Sequence, residues 1–350
     1  MATLLASATA HPPYRYDQDE VIQSLSLWLG GDTRLLTLAQ RVFENAAVRT
    51  RYGSRPLCEL AQQLSVTETS QRYQHYTRLL GENVSRKCLE RAGLAPEDID
   101  LIITTSCTGF MIPSLDAYLA NFLGFSAHVK RLPITELGCA AGGVALARAF
   151  DYLLAFPQHT VLIVAVELPS LTFQFHDMSP ANVVSSALFG DGAAAVVLTG
   201  APHAGRPHVR ATQSTLFPQT LEVMGFDLRD SGFHIVLSTE IPAMVRAEVP
   251  TIVGNFLAAN GLTGKDITHF LLHPGGRRVL DGLVECLDLA PAHAQVSREI
   301  LRDCGNLSSA SVLFILDRFL TTEPTQAGDF GLLLAFGPGF SAEALLLQWK

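Results

Sequence analysis

Three residues have types and surroundings that could do nucleophilic chemistry: Cys139, His273 and Asn306. Cys139 stands in Glu136-Leu137-Gly138-Cys139-Ala140-Ala141-Gly142-Gly143. Its small neighbours allow a tight turn and close approach of a ligand to the backbone. Residues 133–135 read as a strand end and residues 140–149 as a helix. Cys139 is therefore expected at a strand-to-helix turn, where free N–H groups and the helix dipole favour a thiolate. A buried structural cysteine is the commoner use of this residue. His273 ends an apolar run and precedes Pro274-Gly275-Gly276, which makes it a histidine on a fixed turn. Asn306 lies in Gly305-Asn306-Leu307-Ser308-Ser309-Ala310-Ser311. Singly, a satisfied core histidine and a helix N-cap would account for the last two. Together the three form a nucleophile set, a thiolate paired with an imidazolium beside an amide. Their order and the separation of 134 residues (273 − 139) also fit papain-like proteases. The C-G-[SA]-C-[WY] pattern of those enzymes is absent, and the cysteine lies mid-chain.

The elements that must carry these residues are legible as apolar runs. Residues 99–105, 161–166 and 193–198 read as strands, as do 270–272 and 331–336 in the second half. Residues 69–92, 141–155, 244–260 and 309–320 read as helices. Strands alternating with helices indicate an α/β fold with buried sheets. Each half runs helix, strand, polar turn, helix and a closing pair of strands. The Pro/Gly/His-rich stretch 199–207 separates them, giving a unit 1–205 with the cysteine and a unit 206–350 with the histidine and asparagine. A duplicated α/β unit is expected to build its site where the halves meet.

Composition agrees with a large core. Hydrophobic residues make up 48% of the 350 and charged residues 17%, against roughly 25% charged in an average domain. That excludes intrinsic disorder and suits a further apolar face hidden between subunits. The net charge of −8 is the wrong sign for a general nucleic-acid binder. An anionic ligand would need a local basic patch. Arg41, Arg49, Arg51 and Arg55 cluster with a single acid, Glu44, and Arg277 and Arg278 follow the His273 turn. No stretch free of Asp, Glu, Lys and Arg reaches the roughly 18 residues of a membrane helix; residues 101–115 and 152–166 come nearest. Lys and Arg are absent before Arg15, so the charged start of a signal peptide is missing. The six cysteines are scattered without a C-x-x-C pair, which suggests neither a zinc site nor a disulfide scaffold. A cytoplasmic protein with free thiols is expected.

At these residues the sequence resembles the thiolase superfamily, and within it the type III polyketide synthases, the chalcone-synthase-like enzymes. The runs GCAAGG at Cys139, HPGG at His273 and GNLSSAS at Asn306 are similar to that family's motifs. So are SALFGDGAAAVVL around Phe189, LRDSGFHIVL around Phe233 and LPSLTF at Thr172. Ala335-Phe336-Gly337-Pro338-Gly339 resembles the family's GFGPG loop, with Ala for the first Gly. The runs HPPYRYDQDE and TSCTGFMIPSLDAYL look most like bacterial members that make alkylresorcinols or alkylpyrones. The likeness covers nearly the whole chain.

The resemblance implies a five-layered αβαβα thiolase fold built from two βαβαβαββ halves, and a homodimer in which the Met111-Ile112-Pro113 loop enters the partner's cavity. It implies that Cys139 takes an acyl starter from CoA, and that His273 and Asn306 stabilise the enolate left when malonyl-CoA loses CO2. No metal or redox cofactor is then needed. Phe189 and Phe233 would be gatekeepers between a CoA tunnel and a cavity lined by Thr172, Cys107, Gly275, Gly337 and Pro338, with Glu167 near it. Arg41 and Arg277 would meet the CoA phosphates. The family's neighbouring lysine positions are Leu38 and Asn45 here. Two rivals remain on the same fold: an initiating ketoacyl-carrier-protein synthase, which shares the three residues, and a non-catalytic acyl-binding protein.

Overall fold

The computed structural model describes residues 2–28, 33–60 and 62–350. The first half contains β1 (Ala2–Ala10), β2 (Tyr14–Asp17), α1 (Gln18–Trp28), α2 (Thr33–Asn45), β3 (Thr50–Gly53) and α3 (Val66–Ala92). It continues with β4 (Leu101–Thr105), α4 (Leu115–Leu123), β5 (Lys130–Ile134), α5 (Ala141–Ala155), β6 (Thr160–Glu167), α6 (Pro180–Leu188) and β7 (Gly192–Thr199). The second half opens with β8 (Pro207–Leu216), β9 (Met224–Arg229), β10 (Gly232–Leu237), α7 (Ile241–Ala259) and β11 (His269–Leu272). It closes with α8 (Arg277–Cys286), α9 (Gln295–Cys304), α10 (Ser311–Thr322), β12 (Phe330–Gly337) and β13 (Ser341–Trp349).

Nine strands form one sheet in the order β11-β12-β13-β8-β1-β7-β6-β4-β5. The halves join where β1 meets β8 through only two residue pairs, Ala2 with Val209 and Thr3 with His208. Strand periodicity sorts the apolar side chains into layers. Val161, Ile163 and Ala165 of β6, with Leu333 and Ala335 of β12, share one cluster with residues of α5 and α10. Leu162, Val164 and Val166 face the other way, onto Leu80, Val84 and Leu89 of α3. On the far side Leu332, Leu334 and Phe336 of β12 face Val249 and Val253 of α7 and Leu280 of α8. The result is helix, sheet, paired central helices, sheet, helix, as expected of the duplicated thiolase-type α/β fold. The second half contributes four strands to the sheet and the first half five; a single 3-10 turn, Pro291–Ala294, lies between α8 and α9 where the first half has β5.

The position of a helix in these layers explains its composition. α5 and α10 sit between two sheets and are apolar nearly all round. α3 covers only one face and is accordingly mixed; Ser65 and Glu68 close a capping box at its start, and Gly93 ends it in the left-handed conformation (φ 67°). Element ends differ from the sequence reading where short turns intervene. α10 begins at Ser311 rather than 309 because residues 308–310 form a 3-10 turn. α7 begins at Ile241 rather than 244 because Pro242 is accommodated in a first turn, where its missing N–H costs nothing. The β9–β10 hairpin is only half-buried along β10 and has no apolar alternation for the sequence reading to detect.

Candidate active site

The nucleophile candidate sits on a turn built from small residues. Gly138-Cys139-Ala140 form one 3-10 turn between β5 and α5. Gly138 has φ +48°, and a Cβ there would lie 2.6 Å from Pro338 Cδ. A Cβ on Gly337 would lie 2.7 Å from both the nitrogen and Cβ of Ala140. Gly337 and Pro338, at the end of β12, therefore pack directly beneath the Cys139 turn. The second half repeats the device: residues 308–310 form a 3-10 turn before α10, and Ser308 adopts φ +49°. The two turns meet, with the Cys139 thiol donating to Ser308 Oγ at 3.4 Å.

His273 is fixed by its backbone. Its N–H donates to the Leu334 carbonyl (2.8 Å), and its carbonyl accepts from Gly275 N–H (3.0 Å). The ring is buried and its Nδ1 has no hydrogen-bond partner. Asn306 is bridged to Phe189: its N–H donates to the Leu188 carbonyl (2.8 Å) and its carbonyl accepts from Gly190 N–H (3.0 Å). The side-chain Oδ1 accepts from Ser308 N–H (2.8 Å) and Ser311 Oγ (3.2 Å). The amide oxygen is thus occupied, leaving the NH2 as the end that can donate elsewhere.

This bridge depends on Gly305, which has φ +74° and whose hypothetical Cβ would lie 2.6 Å from the Leu188 carbonyl oxygen. Gly305→Ala is expected to cost about 2 kcal/mol or more, from the left-handed backbone alone. The loss should appear as a lower urea midpoint and a fall in activity as Asn306 shifts. An unchanged midpoint would contradict this placement.

All three residues line one cavity of about 1080 Å3. Phe189, Phe233, Thr172, Cys107, Gly275 and Pro338 line it too, and so do Arg41 and Arg277. Phe233, on β10, packs edge-on against Phe226 at 5.6 Å. Glu167 and Gly337 are not on its wall. Gly337 supports the Cys139 turn from below, as described. Glu167, fully buried at the end of β6, accepts from Cys107 N–H (3.1 Å), Thr108 Oγ1 (2.8 Å) and the hydroxyl of Ser309. It joins the loop after β4 to the turn before α10 and so holds Cys107 in place from behind. Burial raises its carboxyl pKa, while these bonds oppose the rise. Cys107 Sγ also lies 3.2 Å from Ser308 Oγ, so one serine hydroxyl touches both thiols.

Burial opposes the local effect of the helix start. Burial pushes the Cys139 thiol up to about 12, outweighing its bond to Ser308. Burial likewise pushes His273 down to about 3. Burial thus works against the thiolate that a helix N-terminus favours locally. Desolvation penalises either charge alone.

The basic patch is also smaller than expected. Arg41 on α2 is exposed at the cavity wall, with Arg277 and Arg278 at the start of α8. Arg51 is buried: it donates to Gln18 Oε1 and the Ser186 carbonyl and lies over the Phe43 ring (5.6 Å). Arg55 is buried on the carbonyls of Glu59 and Gln62. Arg49 does not line this cavity. Of the expected cluster, Arg41 alone presents an uncommitted charge there. In the sequence the four are indistinguishable, since nothing in their spacing separates a buried guanidinium from a free one. Ser308 was not singled out either; its only sequence signal is a small-residue run like the one around Cys139.

A cysteine, a histidine and an amide donor thus line one large, mostly apolar cavity on a duplicated α/β fold, the residue types that a thiol-based acyl-condensing enzyme needs. The comparisons agree. Residues 1–202 match the family profile "Chalcone and stilbene synthases, N-terminal domain", and residues 208–349 match its C-terminal counterpart. The chain is 42% identical to a 1,3,6,8-tetrahydroxynaphthalene synthase of Streptomyces peucetius subsp. caesius, over 99% of this chain and 93% of that one. It is 35% identical to a phloroglucinol synthase of Pseudomonas fluorescens, over 100% and 99% of the two chains. The crystal structure of the 1,3,6,8-tetrahydroxynaphthalene synthase of Streptomyces coelicolor A3(2) superposes with a TM-score of 0.95 at 34% identity, covering 99% of both chains. The chain belongs to the chalcone and stilbene synthase family. It is a type III polyketide synthase, a condensing acyltransferase that works on acyl-CoA and malonyl-CoA.

Proposed function

We propose that this synthase loads an acyl-CoA starter on Cys139, extends it with malonyl-CoA and releases a cyclised alkylresorcinol or alkylpyrone. The observation that carries the reading is the cavity. At about 1080 Å3 it exceeds the roughly 300–1,000 Å3 that holds a drug-sized ligand. Its walls extend past the site to apolar residues of α1, α2 and α6, among them Val21, Val42 and Val184, and to Ala46 just after α2. That lining suits a long alkyl chain. The first half brings the nucleophile and the second the histidine and amide, which is how we read the units 1–205 and 206–350.

In this scheme the Cys139 proton passes to His273 as sulfur attacks the thioester carbonyl, and CoA leaves with a proton. Malonyl-CoA then loses CO2, and a ring N–H of neutral His273 and the Asn306 NH2 donate to the enolate oxygen. The enolate carbon attacks the Cys139 thioester, lengthening the chain by two carbons and freeing the thiolate for reloading. Phe189 and Phe233 act as the gate, Thr172, Cys107, Gly275 and Pro338 shape the cavity, and Glu167 and Gly337 support it. Arg41 and Arg277 receive the CoA phosphates at its wall.

A homodimer fits the loop after β4. Met111 is buried in its own subunit, whereas Phe110 is 61% and Ile112 81% exposed. Ile112 is the residue this loop offers to a partner's cavity. Six unpaired cysteines fit a reducing, cytoplasmic setting; among the described residues no helix is long and apolar enough to cross a membrane.

The relatives favour a second reading, a compact polyhydroxylated aromatic of the kind named for the tetrahydroxynaphthalene and phloroglucinol synthases. Mass spectrometry of products from malonyl-CoA and a panel of acyl-CoAs, without carrier protein, separates the two. Products that retain a long alkyl chain support the first reading. The same small polyphenol from every mixture, with no starter incorporated, would replace it by the second.

A further inference from the structure

A second recess, of about 550 Å3, backs onto the main cavity across Tyr52, which lines both. Four arginines line it, Arg15, Arg49, Arg302 and Arg318, against two carboxylates, Asp17 and Asp303. The guanidinium groups come from four places in the chain: β2, the segment before β3, the end of α9 and α10. Their convergence is thus a product of folding and not of a basic run in the sequence. The walls are stitched together by the Arg49 N–H donating to the Arg302 carbonyl (2.7 Å) and Thr50 Oγ1 donating to the Asp303 carbonyl (2.6 Å).

The carboxylates neutralise the recess only in part. Arg15 takes up Asp17 at 3.0 Å, and Arg302 takes up Asp303 at 2.7 Å. Arg318 pairs through Nη1 with Glu299 at 3.5 Å and more loosely with Asp303 at 3.9 Å, leaving its Nε and Nη2 groups without a partner among the described residues. Arg49 makes no ion pair among the described residues. His11, stacked on Tyr52 at 3.9 Å, adds no charge at neutral pH because burial lowers its pKa to about 4. The whole Arg49 fork and part of the Arg318 fork are therefore left with open donors in a concave site, on a chain whose net charge is −8. Guanidinium groups are matched in geometry to bidentate oxyanions. None of these residues takes part in the condensation chemistry above.

We infer that this recess binds a small, multiply charged oxyanion of the phosphate class. Such a group could be a free phosphate or diphosphate, or the phosphate arm of a CoA. Titration calorimetry with inorganic pyrophosphate, with and without saturating CoA, tests the site on the wild type and on an Arg49→Ser/Arg318→Ser double variant. The expected result is saturable binding to the wild type that survives CoA, at least tenfold weaker in the double variant, whose KM for malonyl-CoA is unchanged. If CoA displaces pyrophosphate and the double variant raises that KM, the site stands and its ligand is the CoA phosphate. Absence of binding to the wild type, or equal affinity in a double variant with native circular dichroism, overturns it. Arg49→Lys, which keeps the charge but not the fork, should fall between the two.

Discussion

Cys139→Ala is expected to lower product formation by on the order of 10^4-fold or more, the scale on which removal of a covalent nucleophile acts. The expectation follows from the site. Cys139 is the thiol on the glycine-rich turn, it lines the cavity with His273 and Asn306, and no other described group there matches its placement. Cys107 is the nearest substitute, but burial and the Glu167 carboxylate both hold its thiol well above the usual range. The variant should fold normally, since Ala140 and Ala141 beside it already show that the turn accepts a methyl group. It should also fail to form an acyl adduct, as judged by intact-protein mass. A variant that turned over at the wild-type rate would remove Cys139 from the mechanism.

His273→Ala is expected to slow the overall reaction about 10^3-fold, or about 4 kcal/mol. Two separate functions are lost. The thiol loses the imidazole that lines the cavity with it, and its own pKa, pushed up to about 12 by burial, then governs reactivity. Iodoacetamide should therefore modify Cys139 far more slowly at pH 7 in the variant, and the rate should climb about tenfold per pH unit toward the raised thiol pKa. Decarboxylation of malonyl-CoA should suffer as well, because the ring N–H proposed to donate to the enolate is gone. An alkylation rate and pH profile equal to the wild type would show that the two residues do not share a proton. Equal, small effects on loading and decarboxylation would remove His273 from the enolate site.

How much of this was legible in the sequence depended on distance along the chain. The strands of β6, β7 and β12 were readable because burial on both faces makes them continuous apolar runs, with ends that fell within a residue. The Cys139 turn was readable because tight turns demand small residues. The β9–β10 hairpin, which carries Phe233, was not, since its half-buried residues lack alternation. The arginines from 41 to 55 failed for another reason. Arg51 is committed to Gln18 and Ser186, and Ser186 is 135 residues away, a partnership that no local pattern records. Burial of Cys139 is equally invisible locally: a helix start favours the anion, whereas the depth of the thiol in the fold opposes it.

The central claim is that Cys139 carries the growing chain between CoA thioesters. Intact-protein mass spectrometry after addition of one acyl-CoA, followed by isotope-labelled malonyl-CoA in the absence of any carrier protein, tests it most directly. The predicted result is an acyl adduct that maps to Cys139, is discharged when malonyl-CoA is added, and gives a product bearing labelled two-carbon units. An adduct on another residue, or one that persists until a malonyl-carrier protein is supplied, would contradict it.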